Sequence, residues 1–266
     1  MEIEKLHKVL LMIASDIIKL CDDNNIDYYL DGGSFLGAVR HKGFIPWDDD
    51  FDILMKREDY EKFLRVCEEK LDKEKYFIQT ELTDNNYAFS FAKIRLNGTE
   101  FREDFSWNAP IHHGIFVDIF PYDNMPNNVI AKKIFLLKNS MIKSLLWVKC
   151  GFGSDSHKRT FKYKLLRLMS CFVTKKFLFK SRNRLIKKYN NKKTEYSFNS
   201  DYPNMPRKNE LFLKNKKYKF EGYTFNGVED YNEFLTELYG SDYMTLPPVE
   251  KRQIHSHYEI NYGKYK

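Results

Sequence analysis

Residues 47–55 read WDDDFDILM, and this run constrains the fold more than any other part of the chain. In an extended strand, side chains at i and i+2 share a face. Asp50 and Asp52 therefore lie together while Phe51 and Ile53 point the opposite way, and Asp48 joins the acids if the strand starts that early. Carboxylates held in a row repel one another and call for a compensating cation. An oxygen-only ligand set selects a hard ion, Mg²⁺ or Mn²⁺, and such ions are usually bound together with phosphate. The bland alternative is an acidic loop in solvent, but alternation with Phe, Ile and Leu favours a strand that carries a metal.

The segment just upstream, DGGSFLGAVRHKGFIP, adds the partner such a metal needs. Gly32-Gly33 reads as a turn ending the short strand IDYYL, with a helix opening at Ser34. Amides at a helix start form an anion site, and glycine lets a phosphate approach closely. A lone Gly-Gly-Ser is weak evidence, but beside an acidic strand it reads as a phosphate cradle next to a metal.

A third carboxylate would complete a two-metal site for phosphoryl transfer. Asp118 in GIFVDIFPYD fits, because Ile115, Val117 and Ile119 take the opposite face of an otherwise apolar strand. Pro121 is expected to close that strand, leaving Asp123 as a turn residue. Arg40, Lys93 and Arg95 are candidates to hold donor phosphates, and Arg suits bidentate contact. His41 could orient the loop. His112, His113, His255 and His257 have no assigned role, since no cysteine or further histidine completes a zinc spacing.

The rest of the chain reads as a mixture of helices and strands. Ile3, Leu6, Leu10, Ile13, Ile17 and Leu20 recur at gaps of three and four, which predicts an amphipathic helix packed on a core rather than a signal peptide. A second helix is expected near EDYEKFLRVCEEKL, with Tyr60, Phe63, Leu64 and Cys67 on one side. Strands are expected at KYFIQT, YAFSFAKIRL and GIFVDIF, and a hairpin, a helix and an ordered tail near the end. The four cysteines are far apart with no CxxC pair and read as reduced thiols. The expected fold class is α+β (mixed α/β), a core sheet flanked by helices. It divides into a catalytic core at 1–128, a basic helical insertion at 129–199 and a C-terminal segment at 200–266 that completes the catalytic domain.

Charge marks the insertion. Between residues 131 and 193 there are 19 Lys or Arg against one acid, Asp155, while the remainder holds 25 basic and 36 acidic residues. Apolar and cationic residues interleave there at helical spacing, as suits an anionic membrane surface. Nucleic acid attracts the same cations, but the large aliphatic share argues against it. A helical insertion with a solvated basic face stays open as a third reading. No uncharged run approaches the ~20 residues that cross a bilayer. The expected location is cytoplasmic, peripheral at the inner face of the membrane.

The run DGGSFLGAVRHKGFIPWDDDFDILM, with FAKIRLNGT, GIFVDIFPYD and the ending YGSDYMTLPPVEKRQIHSH, resembles the LicD family. These are phosphocholine transferases of bacterial surface glycans, related to the fukutin-type ribitol-phosphate transferases. The resemblance covers roughly residues 5–125 and 220–258. His255 and His257 depart from it, being separated by Ser256 where the family commonly has adjacent histidines. The resemblance implies a nucleotidyltransferase-like core with Mg²⁺ held by Asp50, Asp52 and Asp118, assisted by Asp48. Gly32, Gly33 and Ser34 match the position that holds donor phosphate. It also implies transfer of phosphocholine, or a related phospho-alcohol, from CDP-choline or another CDP-alcohol donor. The acceptor would be a hydroxyl of a glycan or lipid-linked glycan, with CMP released. Two rivals remain at this level: transfer of a nucleoside monophosphate from an NTP with release of pyrophosphate, and a non-enzymatic basic membrane-binding module whose acidic cluster is structural.

Overall fold

The computed structural model describes residues 2–252 and 257–265. His255 lies outside these, as does the side chain of His257, so the histidine pair of the tail is not described. The amphipathic period of the N-terminus produces helix α1 (Glu2–Asp23), whose Leu6, Leu10, Ile13, Ile17 and Cys21 are buried. Strand β1 (Tyr29–Leu30) leads directly into helix α2 (Gly32–Arg40), then β2 (Asp52–Lys56) and helix α3 (Arg57–Lys70). Helix α3 buries Tyr60, Phe63 and Cys67 at helical spacing, while Leu64 packs at the margin. Strands β3 (Tyr76–Gln79), β4 (Ala92–Leu96), β5 (Glu100–Glu103) and β6 (Phe116–Asn124) follow.

The main sheet runs β1-β2-β6-β4-β3. Strands β2 and β6 are parallel, whereas β1–β2, β3–β4 and β4–β6 are antiparallel. Helices and a mixed sheet thus give an α+β fold. Its core is apolar on both sides of the central strands, with Ile53, Leu54, Ile94, Val117 and Ile119 fully buried.

Strand β6 corrects the reading of its own sequence, because it continues through Pro121 instead of ending there. The amide of Asp118 donates to Phe51 O, so amides at alternate positions point toward β2. The amide that Pro121 lacks would face the other side, where pairing with β4 has stopped at Ile119 and pairing with β7 (Tyr196–Phe198) begins only at Asp123. Proline therefore costs the sheet no hydrogen bond. Asp123 is likewise no turn residue. It is fully buried in β6 and takes a two-pronged ion pair from Arg57, Nε at 2.8 Å and Nη2 at 2.6 Å. Strand β4 is also shorter than YAFSFAKIRL implied, because Tyr87–Phe91 leave the ladder and pack as aromatic side chains.

The basic region folds into helices α4 (Val129–Lys149), α5 (Asp155–Lys158), α6 (Phe161–Cys171) and α7 (Lys175–Ile186). Asn128, Thr160 and Thr174 cap α4, α6 and α7 by accepting from first-turn amides, which sets where each begins. Leu145, Leu146 and Leu178 form the seam between them. A buried polar knot ties this layer to the rest of the chain. Arg182 Nη2 is 2.8 Å from Asp201 Oδ1, Asp201 Oδ2 accepts from Ser90 N, and Lys143 Nζ donates to Asp201 O.

After β7 and β8 (Arg207–Lys208), the hairpin β9 (Asn215–Phe220) and β10 (Tyr223–Val228) leads to helix α8 (Tyr231–Tyr239). Tyr218 and Phe234 meet Phe35 of α2 edge-on, so this segment covers the helix that begins at the glycines. Strand β11 (His257–Asn261) pairs with β5. Among the described residues all four cysteines are free, with Cys171 exposed and the others buried.

Candidate active site

Helix α2 starts at Gly32, not Ser34, because Asp31 is its N-cap: Asp31 Oδ1 accepts from Gly32 N at 2.8 Å, and Phe35 N donates to Asp31 O. Gly32 takes a left-handed φ of +52°, which admits glycine at least cost. Ser34 Oγ accepts from Asp52 N at 2.9 Å, which locks the first turn of α2 to the first residue of β2. The glycines consequently lie against acids. A methyl group on Gly32 would sit 2.7 Å from Asp52 Oδ2, and one on Gly33 would overlap Asp48 Oδ2. The two sequence features, glycine turn and acidic run, are one surface.

Because β2 begins at Asp52, residues 48–50 form a loop rather than a strand. Their side chains converge there, with carboxylate oxygens of Asp48, Asp49 and Asp50 all within 4.8 Å of one another. His7 and Glu221 brace the loop from outside: His7 Nε2 bonds Asp48 O at 2.6 Å and its ring stacks on Phe44, whose amide donates to Glu221 Oε1.

Across the sheet, Asp52 is the register partner of Asp118, and Asp118 that of Lys93. Register partners share a face, so three adjacent strands present carboxylate, carboxylate and ammonium in a row. Lys93 is 2% exposed, with Nζ 3.1 Å from Asp118 Oδ1 and 3.2 Å from Glu103 Oε1. The ring of Phe116 lies under it. Burial pushes Asp118 up to about 7, against the opposing pull of Lys93. Asp52 is raised well above the usual carboxylate range by burial first, then by Asp50, Asp118, Asp31 and Asp48. Among the described residues, Asp52 Oδ1 is buried with no hydrogen-bond partner.

The structure therefore brings together Gly32, Gly33, Ser34, Asp48, Asp50, Asp52, Asp118 and Lys93. Arg40 lies at the far end of α2, where its Nη1 donates to Tyr243 O at 2.7 Å and its Nε faces His41. Arg95 is wholly buried behind the row, donating to Gln79 Oε1 and Gly114 O and lying 3.5 Å from Glu103 Oε2. From there it steadies Glu103, and through it Lys93. His112 and His113 bond Asn97 and Ala109 O, respectively, away from the acids.

Four residues of the site were not singled out from sequence. Asp49 joins the acidic loop, and Glu103 shares Lys93. Asp31 is buried and raised by that burial, with Arg207 opposing and Tyr122 donating to its Oδ2 at 3.3 Å. Arg207 is 2% exposed, stacked on Phe234, and supplies positive charge behind Asp31. An Asp immediately before Gly-Gly at a helix start was a readable N-cap signal. Nothing local announced Arg207 or Glu103.

Comparison with known proteins identifies the chain's relatives. Residues 25–150 match the family model described as LicD/FKTN/FKRP, nucleotidyltransferase domain. The chain is 34% identical over 262 residues to the lipopolysaccharide cholinephosphotransferase LicD of Haemophilus influenzae, covering 93% of each chain. It is 31% identical over 120 residues to the mouse ribitol 5-phosphate transferase FKRP, covering 45% of this chain and 21% of that one. The human FKRP aligns over the same length at 30% identity. On the strength of a likeness that runs nearly end to end, the chain belongs to the LicD family.

Proposed function

We propose that this protein is a Mg²⁺- or Mn²⁺-dependent transferase that moves phosphocholine, or a related phospho-alcohol, from a CDP-linked donor to a glycan hydroxyl, releasing CMP. The relatives support the class: one is named a cholinephosphotransferase and another a ribitol 5-phosphate transferase, and a phospho-alcohol is what the two have in common. The observation that carries the reading is Asp52, whose Oδ1 is buried and, among the described residues, unpartnered, while Asp118 faces it across the sheet. A buried carboxylate oxygen facing a second acid is costly without a cation. An oxygen-only donor set beside a glycine-headed helix fits a hard divalent ion with phosphate.

Asp48, Asp50, Asp52 and Asp118 would hold the metal. Bound there, it would supply neutralisation of the phosphate oxygens and lower the pKa of the attacking hydroxyl. In this reading Asp118 takes up the proton of the acceptor hydroxyl. Lys93 orients Asp118 and balances the charge of the row. Gly33 keeps the start of α2 free of side-chain bulk, so that first-turn amides can approach the donor diphosphate. Ser34 fixes the distance between that turn and β2 through its bond to Asp52 N.

The test is Mg²⁺-dependent binding and slow hydrolysis of CDP-choline, CDP-ribitol, CDP-glycerol and CTP, with the Asp50→Asn/Asp52→Asn double variant as control. Preference for one CDP-alcohol with release of CMP, absent from the variant, is the expected result. Preference for CTP with release of pyrophosphate would replace the proposal with nucleotidyl transfer.

A further inference from the structure

Helices α4 and α6 expose what a helix in a globular protein normally buries. On α4, Ile130, Ile134, Leu137 and Met141 are 70%, 48%, 69% and 53% exposed. At ~100° per residue they fall within an arc of about 60°. On α6, Phe161, Leu165, Leu168, Met169 and Phe172 are exposed, Phe161 and Phe172 by 81% and 84%, and they fall within an arc of about 100°. Each helix also has an ordinary inward face. Phe135, Asn139 and Leu146 of α4, and Tyr163 and Ser170 of α6, are buried. The outward stripes are thus a second apolar face on helices whose first is already used.

Basic residues border both stripes. Lys133 and Lys138 on α4, and Lys162, Lys164 and Arg167 on α6, are all exposed. Residues 131–193 carry 19 basic residues against one acid. No described helix is long and apolar enough to cross a membrane. Apolar stripes rimmed by lysine, on helices too polar to span, are the physical signature of segments that lie in a lipid–water interface.

We infer that α4 and α6 dock this protein on an anionic lipid surface, with the stripes entering the acyl boundary and the basic rims meeting acidic headgroups. Charge selects this occupant over others. A second copy of the chain would bring one strongly cationic face against another. A nucleic-acid backbone would satisfy the lysines but leave the isoleucine, leucine and phenylalanine stripes in water. Lipid binding is independent of the reaction proposed above, and its test requires no turnover.

The test is co-sedimentation of the full chain with vesicles of phosphatidylcholine alone and with phosphatidylglycerol admixed. The wild type should sediment with the anionic vesicles and not the neutral ones. Leu137→Ser/Leu168→Ser/Phe172→Ser should bind at least tenfold more weakly. Lys133→Gln/Lys138→Gln/Lys164→Gln should lose about fivefold per charge removed. These side chains are all exposed, so both variants should keep the wild-type melting temperature. No sedimentation with anionic vesicles overturns the inference, as does binding that the serine variant leaves unchanged. A wild-type dimer that the serine variant makes monomeric, without vesicle binding, would assign the face to self-association instead.

Discussion

Asp52 and Asp118 face one another across the parallel strands β2 and β6, with Lys93 paired to Asp118 on the far side and, among the described residues, no side-chain cation paired to Asp52 Oδ1. This asymmetry makes a prediction that needs no substrate. Asp52→Asn removes a repelled, buried charge, so the metal-free variant should be more stable than the wild type by about 1–2 kcal/mol, or ~2–6 °C in Tm. Mg²⁺ should raise the Tm of the wild type and leave the variant unmoved, while turnover falls at least ~100-fold. Thermal melts with and without Mg²⁺ decide it; a variant that melts below the wild type without metal would contradict the account of the site.

Gly33 and Asp48 give a second test. In Gly33→Ala the added methyl overlaps Asp48 Oδ2, so the acid must move. Alanine is favoured over glycine in a helix by about 1 kcal/mol, which offsets part of the strain. The expected outcome is near-normal stability with metal affinity reduced ~10-fold or more, read by titration calorimetry with Mn²⁺. Gly32→Ala should be worse on both counts, since its φ of +52° adds backbone strain.

The Arg57–Asp123 pair lies beyond the site at the end of β6 and is buried on both sides. Removing one partner strands the other's charge. Arg57→Met is expected to cost about 3–5 kcal/mol in urea unfolding, with the double variant Arg57→Met/Asp123→Leu recovering much of it. A loss below ~1 kcal/mol for the single variant would mean water reaches the pair.

His112 supplies a pH dependence. Its Nδ1 accepts from Gly114 N and its Nε2 bonds Asn97 Oδ1, a pattern that holds the ring neutral. Burial, then the nearby Arg95, push its pKa down to about 4. A histidine depressed on folding contributes its full stability above its unfolded value of ~6.5. That stability is lost as pH falls from there through 4. With a partly exposed ring the loss is about 1–2 kcal/mol. Urea midpoints measured from pH 7 to pH 4 should fall less steeply for His112→Asn than for the wild type.

Much of the fold was legible because its signals are local. The period of α1, the burial of Tyr60, Phe63 and Cys67 in α3, and the apolar run of β6 needed no partner to be read. What was not legible depends on pairing. Whether Asp50 belongs to a strand or a loop is decided by where β2 first meets β6, and that contact joins residues far apart in sequence. An early strand would have turned Asp49 away; the loop turns it in. Lys93 and Arg95 alternate correctly onto one face, yet only one of them lies beside Asp118. Depth on that face is set by Gln79, Gly114 and Glu103, which come from other strands and loops.

Pro121 has an effect well away from its own ring. A residue with a free amide at that position could recruit the segment before Ala92 and zip β4 onward along β6. Without that amide the zipper halts, and Phe89 and Phe91 are released to serve as filling. Phe91 abuts Phe120 at 4.6 Å, and Phe89 meets Phe105, Trp147 and Phe152 each at 5.6 Å. The rings form a hydrophobic keystone between sheet and helical layer. The backbone ladder thus ends, and the aromatic packing begins, opposite a residue with no amide to offer.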